Sequence, residues 1–164
     1  MMVGFKYKLY SAFKYANTPV DNELPYFGEL LEKTAKRYVR VGLVAGDGAY
    51  LLRHNCDLVV ALGGVAWFYP KKGTMLCQKG SVVWREMLEE LVADPQKWLE
   101  DYHKRSNVEG SFSILKRDNP FALRKIFDGL REQEAFGRAC NQNLKRLCYL
   151  NYTEDIDPKG NWPK

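Results

Sequence analysis

Four residues in the second half of the chain bring together a phenol, two cations and a carboxylate: Tyr102, Arg105, Glu109 and Lys116. A helix is predicted here, from the start signal Asp94-Pro95 to about Lys116. At about 100° per residue, the four side chains fall within an arc of about 80° on one helix face. One helix would thus carry a carboxylate, two cations and a phenol along one edge. The alternative is an ordinary i, i+4 ion pair between Arg105 and Glu109 on a solvated face.

A second acidic residue, Asp47, follows a nearly continuous apolar segment, Val39 to Ala45. Such a segment is typical of a strand in a parallel sheet that helices cover on both faces. A helix is predicted over Ala49 to Leu62, and Gly63-Gly64 separates it from a second buried strand, Val65 to Tyr69. In open α/β sheets, sites form at the carboxyl ends of strands, where Asp47 lies. The alternative is that Asp47 only caps a turn or a helix.

The stretches around these two acids resemble the DDE transposases of bacterial and archaeal insertion sequences. Tyr102 to Arg117 matches the family's Y-x2-R-x3-E-x6-K signature at all four positions, and Leu43 to Tyr50 resembles the strand that ends in the second catalytic aspartate. Gly129 to Leu147 is similar to the family's helical tail. The resemblance implies an α/β fold of the RNase H-like type, a mixed sheet flanked by helices with a helical C-terminal region. We expect this domain to span residues 1–152 and residues 153–164 to form a flexible tail.

The resemblance also assigns roles to particular residues. Asp47 and Glu109 are expected to be catalytic and to hold Mg²⁺ or Mn²⁺ in a two-metal site for phosphodiester cleavage and strand transfer. Tyr102, Arg105 and Lys116 are expected to contact DNA, chiefly at phosphate oxygens. The expected function is therefore DNA transposition.

The family uses three carboxylates, and the first of them stands on an earlier strand. Residues 1–20 contain no Asp or Glu, and the first acid, Asp21, is predicted to cap a helix. We therefore expect the chain to begin inside the sheet, without the strand or strands that carry the first aspartate, and to cleave little or not at all by itself. One alternative is a non-catalytic DNA-binding or oligomerisation module that keeps the fold. Another is a separate polypeptide that supplies the missing strand.

Apolar periodicity predicts the remaining elements. Phe5 to Phe13 alternates like a strand with one wetter face, and a helix with Pro25 in its first turn is predicted to end near Tyr38. An amphipathic helix or hairpin is predicted over Ser81 to Val92. The signal Asp118-Asn119-Pro120 is predicted to open a last helical region through residue 150.

The excess of positive charge is local. The formal net charge is +5, and residues 102–146 hold ten Lys and Arg against five Asp and Glu, so the rest of the chain sums to zero. Cations recur every seven residues at Arg117, Arg124, Arg131, Arg138 and Lys145. On one continuous helix this row is a slanted stripe that could follow DNA phosphates, with Arg117 and Arg124 added to the DNA-binding set. A solvated face balanced by acidic neighbours is the equal alternative.

The composition excludes other classes. With 46% hydrophobic and 27% charged residues the chain is typical of a globular protein, and no segment approaches the roughly 18 to 20 apolar residues of a membrane helix. We expect the protein to be cytoplasmic, to bind DNA and to form a homo-oligomer. We expect it to bind neither a membrane nor a small-molecule cofactor. The four cysteines lack CxxC spacing and are expected to be thiols. Trp67, Phe68 and Tyr69 are predicted to be core strand residues rather than a surface for base stacking.

Overall fold

The computed structural model of the chain describes residues 1–15, 23–38, 40–76, 79–120 and 122–157. The chain divides into two compact units, named here by their place in the sequence. The central unit is Glu23–Ser106, and the terminal unit is Met1–Asn22 with Asn107–Lys164. The described residues form helices and two small two-stranded sheets, which confirms a mixed α/β protein. A larger RNase H-like sheet stays a prediction.

The central unit contains the predicted strand, helix, strand sequence. Strand β3 (Leu43–Gly46) runs parallel to β4 (Val65–Phe68), and helix α2 (Arg53–Ala61) connects them. The helix ends at Ala61, before Gly63, whose φ of +78° favours glycine. A side chain at Gly64 would lie 2.8 Å from the Gly42 backbone oxygen. The predicted order of strand, helix and strand is therefore confirmed, but the bounds are not. Residues 40–42 precede the first strand, residues 49–52 form a turn and an extended lead before the helix, and the second strand ends before Tyr69. Val39 lies outside the described residues.

One of the other helices of the central unit begins at its predicted signal, Asp94-Pro95, and the helix predicted to end near Tyr38 ends earlier, at Ala35. A short 3-10 turn with Pro25 near its start leads into α1 (Phe27–Ala35). Helix α3 (Val82–Ala93) begins after Ser81, whose hydroxyl accepts the Trp84 N–H at 3.0 Å. Helix α4 (Pro95–His103) begins after Asp94, whose carboxylate accepts the Lys97 N–H at 3.0 Å. The predicted caps at Asp21 and Asn22 lie outside the described residues.

The core of the central unit is made of large apolar side chains from all of these elements. Phe68 and Val59 are fully buried, and Leu31 is 1% exposed. The Phe68 ring meets the Phe27 ring edge to face at a centroid distance of 5.7 Å. This core fixes α1, α2 and α3 against the parallel strands.

The terminal unit combines a hairpin with two helices. Strand β1 (Met2–Val3) pairs antiparallel with β2 (Tyr10–Ala12). The helices are α5 (Ser106–Asp118) and α6 (Asp128–Glu154). The first residue of α5, Ser106, belongs to the central unit. The prediction of one strand over Phe5 to Phe13 is wrong, because residues 5–7 form the turn of the hairpin. Lys8, with a φ of 56°, donates its N–H to the Gly4 oxygen at 3.0 Å and closes that turn.

The predicted helix start at Asp118-Asn119-Pro120 is wrong. Asn119 instead ends α5, since its backbone N–H and its side-chain amide both donate to the Leu115 oxygen. The segment after Asn119 forms hydrogen bonds with a residue of the next helix. The backbone N–H groups of Arg124 and Lys125 donate to the Glu134 carboxylate, at 2.9 and 3.2 Å. These bonds fix an irregular connection, and α6 begins only at Asp128. None of the described helices is both long and apolar enough to span a membrane.

Candidate functional site

Asp47 stands directly after β3, at the carboxyl edge of the parallel pair. The preceding position favours glycine, because a Cβ at Gly46 would lie 3.0 Å from the Phe68 ring and 3.1 Å from the Tyr50 ring, and these rings would have to shift. The Asp47 side chain is exposed, and its Oδ1 accepts the Ala49 N–H at 2.9 Å. Asp47 therefore does cap a turn, as the alternative reading of the sequence expects. The turn holds the carboxylate at the edge of the sheet.

Tyr102 and Arg105 lie beside this edge. Burial chiefly raises the pKa of the Tyr102 phenol, the nearby charge of Asp47 raises it further, and the positive charge and hydrogen bond of Arg105 oppose the rise. The Arg105 guanidinium lies over the Tyr102 ring, 5.6 Å from its centroid. The structure thus brings together three of the predicted site residues: a carboxylate, a phenol and a guanidinium.

A residue outside the predicted site, Tyr69, completes this group. Its ring centroid lies 5.1 Å from that of Tyr102, and its side chain is 45% exposed. We call Asp47, Tyr69, Tyr102 and Arg105 the edge cluster. The prediction that Trp67 and Phe68 are core residues is confirmed, but for Tyr69 it is wrong, because the strand ends at Phe68 and the next side chain leaves the core.

Stacked rings support the edge cluster from the interior. Trp98 stacks on Trp67 at 5.2 Å and on Tyr102 at 5.4 Å, with interplanar angles of 16° and 18°. The Trp67 indole N–H also donates to the Trp98 backbone oxygen at 3.0 Å. The spacing in the sequence explains this stack of rings. Trp98 and Tyr102 are one turn apart on α4, and Trp67 and Tyr69 are two residues apart at the end of β4. Aromatic residues four apart on a helix and two apart on a strand are thus the sequence signal that could have placed Tyr69 at the site.

The buried indole N–H of Trp98 has no hydrogen-bond partner within the described parts of the chain. Trp98 is 2% exposed, and an unpaired buried donor is uncommon in a folded protein. Nothing in the structure explains it.

The predicted single helix that carries all four signature residues is wrong. Helix α4 ends at His103 and α5 begins at Ser106, and the Arg105 N–H donates to the Tyr102 oxygen at 2.9 Å, three residues back rather than four. Tyr102 and Arg105 therefore belong to the central unit, in α4 and the turn after it. Glu109 and Lys116 belong to the terminal unit, exposed in the first and last turns of α5.

The seven-residue row of cations does not form a stripe on one helix. Arg117 lies on α5, Arg124 lies in the irregular connection, and only the remaining three lie on α6. Carboxylates accompany most of the row: Arg138 pairs with Glu134 at 2.7 Å and Lys145 with Asp118 at 3.0 Å. A hydrogen bond from Lys145 is the main reason that the pKa of Asp118 lies below its usual value. The pairing supports a solvated, charge-balanced face over a phosphate track.

A two-metal site needs several carboxylates around both ions. In the portion of the chain that the structure describes, no three His, Cys, Asp or Glu side chains form a group that could hold a metal ion. Asp47 has the chemistry and exposure of a ligand for Mg²⁺ or Mn²⁺, but the described residues do not make up a complete two-metal site.

Among the described cysteines, Cys56 is a buried thiol and Cys148 an exposed one. Burial raises the pKa of the Cys56 thiol to about 12, so it stays protonated at neutral pH.

Comparison of the chain with protein-family models, with curated proteins and with solved structures finds no match.

Proposed function

We propose that the chain functions in DNA transposition as a domain of the DDE transposase type. In this proposal Asp47 and Glu109 are ligands of Mg²⁺ or Mn²⁺, and Tyr102, Arg105 and Lys116 contact DNA. The observation that supports the proposal best is the edge cluster, in which an exposed carboxylate at the end of a parallel strand lies beside a phenol and a guanidinium. Strand ends of this kind are where α/β proteins build their sites.

The side chains of the cluster suit phosphate oxygens. The Tyr102 phenol is protonated at neutral pH, as its ordinary pKa of 10.0 already ensures, so the hydroxyl can donate a hydrogen bond. Arg105 keeps its charge at any physiological pH and can bind a phosphate with two parallel N–H groups. A divalent cation, when bound, would supply Lewis-acid activation of the reacting oxygens. Asp47 and Glu109 would each supply a carboxylate ligand.

Binding of duplex DNA tests the phosphate contacts. We expect the chain to bind a labelled duplex weakly, with an affinity that falls steeply as salt rises. Arg105→Ala should weaken binding and lower the slope of log affinity against log salt by about one. The matched control is Arg40→Ala, an exposed arginine of the same unit. Unchanged affinity in Arg105→Ala, or an equal loss in the control, would contradict the assignment of Arg105.

A nicking assay in Mg²⁺ or Mn²⁺ tests the expected level of activity. We expect little or no cleavage by the isolated chain. Robust cleavage that Glu109→Gln abolishes would overturn that expectation while supporting the transposase proposal.

A second candidate function is a non-catalytic DNA-binding or oligomerisation module. Exposed apolar side chains on and just before α6 favour it, because Ile126 is 81% exposed, Phe127 74% and Leu144 61%. Light scattering across a concentration series distinguishes the two candidates when combined with the nicking assay. Self-association that Leu144→Asp abolishes, in a chain that neither cleaves nor responds to Mn²⁺, would favour the module.

A further inference from the structure

Tyr69 is the one member of the edge cluster that neither the signature nor the strand pattern assigns to a site. Its backbone is held close to Asp47, because the Tyr69 N–H donates to the Gly46 oxygen at 3.3 Å. The residue as a whole is 45% exposed. An exposed tyrosine therefore stands at the same edge of the sheet as the carboxylate.

The rings behind Tyr69 hold it in place. Its centroid lies 5.1 Å from Tyr102 and 6.2 Å from Trp98, and Trp98 is buried and stacked on Trp67. A ring that its neighbours already hold in place loses little conformational freedom when a planar ligand stacks on it. This is the arrangement by which proteins bind the bases of single-stranded nucleic acid.

Cations lie near Tyr69, one over its neighbour Tyr102 and two just after it in the chain. Arg105 is stacked over Tyr102, and the exposed residues Lys71 and Lys72 follow Tyr69 after one proline. The Lys71 stem lies against the turn that holds Asp47, since a Cβ built at Gly48 would be 3.0 Å from the Lys71 Cγ. Positive charge is therefore available near Tyr69 for the phosphates that flank a stacked base.

From these contacts we infer that Tyr69 stacks on an unpaired nucleobase whose flanking phosphates bind Arg105 and Lys71. The preferred ligand is then a single strand or a frayed end, because the faces of paired bases inside a duplex are not open to a side chain. The inference rests on the proposed nucleic-acid ligand, but it does not depend on metal binding or on cleavage.

The experiment compares three labelled probes on the full chain by fluorescence anisotropy: an oligothymidylate of about ten nucleotides, the same backbone without bases, and a duplex. We expect the oligothymidylate to bind more tightly than the abasic strand. Tyr69→Ala should weaken oligothymidylate binding by about 5-fold to 100-fold and leave the abasic strand unaffected. Tyr69→Phe keeps the ring and should keep the affinity. Tyr152→Ala, at an 87% exposed tyrosine of the terminal unit, is the matched control.

The outcomes separate this inference from the proposed function. Equal binding of the oligothymidylate and abasic strands, or an unchanged affinity in Tyr69→Ala, would overturn the stacking site even if duplex binding still depends on Arg105. Loss of all probe binding in Tyr69→Phe as well as Tyr69→Ala, with unchanged circular dichroism, would also overturn it, because the ring would then not be the group that binds. If none of the probes binds the unsubstituted chain, the inference and the proposed function both fail.

Discussion

Different kinds of contact stabilise the interior of each of the two units. In the central unit, large apolar side chains such as Phe68, Leu31 and Trp98 are almost entirely buried. Among the described residues of the terminal unit fewer side chains are buried, and small or polar ones such as Ala139 and Ser111 are among them. Hydrogen bonds between distant parts of the sequence connect its hairpin to its helices.

Asn143 provides the clearest of these bonds. Its side-chain amide accepts the Tyr10 N–H at 2.8 Å and donates to the Tyr10 oxygen at 3.0 Å, so a helix side chain pairs with β2 as a neighbouring strand would. The Tyr10 hydroxyl donates to the Ser111 oxygen at 2.7 Å, and Arg146 donates to the Tyr7 oxygen at 3.1 Å. A net hydrogen bond contributes only about 0.5–1.5 kcal/mol, which is less than a large buried side chain contributes. We therefore expect substitutions of buried side chains to matter most in the central unit and substitutions of hydrogen-bonding side chains to matter most in the terminal unit.

The largest loss is expected in the core of the central unit. Phe68→Ala removes a fully buried ring that packs on Phe27 and should lower the free energy of unfolding by about 3–5 kcal/mol. Urea unfolding followed by tryptophan fluorescence measures it, because Trp67, Trp84 and Trp98 all lie in this unit. Val92→Ala, at a 67% exposed position, should change the free energy by less than about 0.5 kcal/mol. Equal effects of the two substitutions would contradict the account of this core.

The next loss is expected where a hydrogen bond replaces burial. Asn143→Ala leaves both backbone groups of Tyr10 without their partner and should cost about 1–3 kcal/mol. Hydrogen exchange at the Tyr10 amide measures the change as faster exchange. Asn141→Ala, at an exposed position of the same helix, should leave that exchange rate unchanged. Undiminished protection in Asn143→Ala would break the comparison between the units.

A smaller loss is expected at a helix cap of the central unit. Ser81→Ala removes the acceptor of the Trp84 N–H at the start of α3 and should cost about 1 kcal/mol. Ser81→Thr keeps the hydroxyl and should recover most of the stability. Urea unfolding of both variants tests this, and a Thr variant as unstable as the Ala variant would show that the cap is not the cause.

The smallest effect is expected at an exposed ion pair of the terminal unit. Lys145→Ala should return the pKa of Asp118 toward its ordinary value of 3.8, because the hydrogen bond from Lys145 is the main cause of its depression. The pKa of Asp118 is lower in the folded state than in the unfolded state, where it is about 3.8. The pair therefore stabilises the fold at pH values above about 3.8, and this stabilisation is lost as the pH falls from there through the folded-state pKa. Carboxyl NMR titration in low and high salt measures the shift, which salt should reduce. Lys125→Ala is the control, and an unchanged Asp118 titration in Lys145→Ala would remove the pair from the account.

The sequence is sufficient to predict the parallel strands and α2, because apolar runs and the Gly63-Gly64 stop act locally. It does not predict the break at Lys104 and Arg105, since neither glycine nor proline marks that turn. The late start of α6 depends on Glu134, which binds backbone groups nine and ten residues earlier. The place of Tyr69 in the edge cluster depends on α4 packing beside β4, a tertiary contact that neither pattern contains on its own.

Binding of Mn²⁺ to the full chain tests the central claim most directly, because it asks whether the carboxylate at the end of β3 is a metal ligand. Electron paramagnetic resonance of free Mn²⁺ measures the affinity in the unsubstituted chain and in single variants. We predict that Asp47→Asn and Glu109→Gln each weaken binding by about tenfold or more, and that the exposed controls Glu86→Gln and Glu132→Gln do not. Mn²⁺ binding that is absent from the unsubstituted chain, or that Asp47→Asn leaves unchanged, would contradict the account.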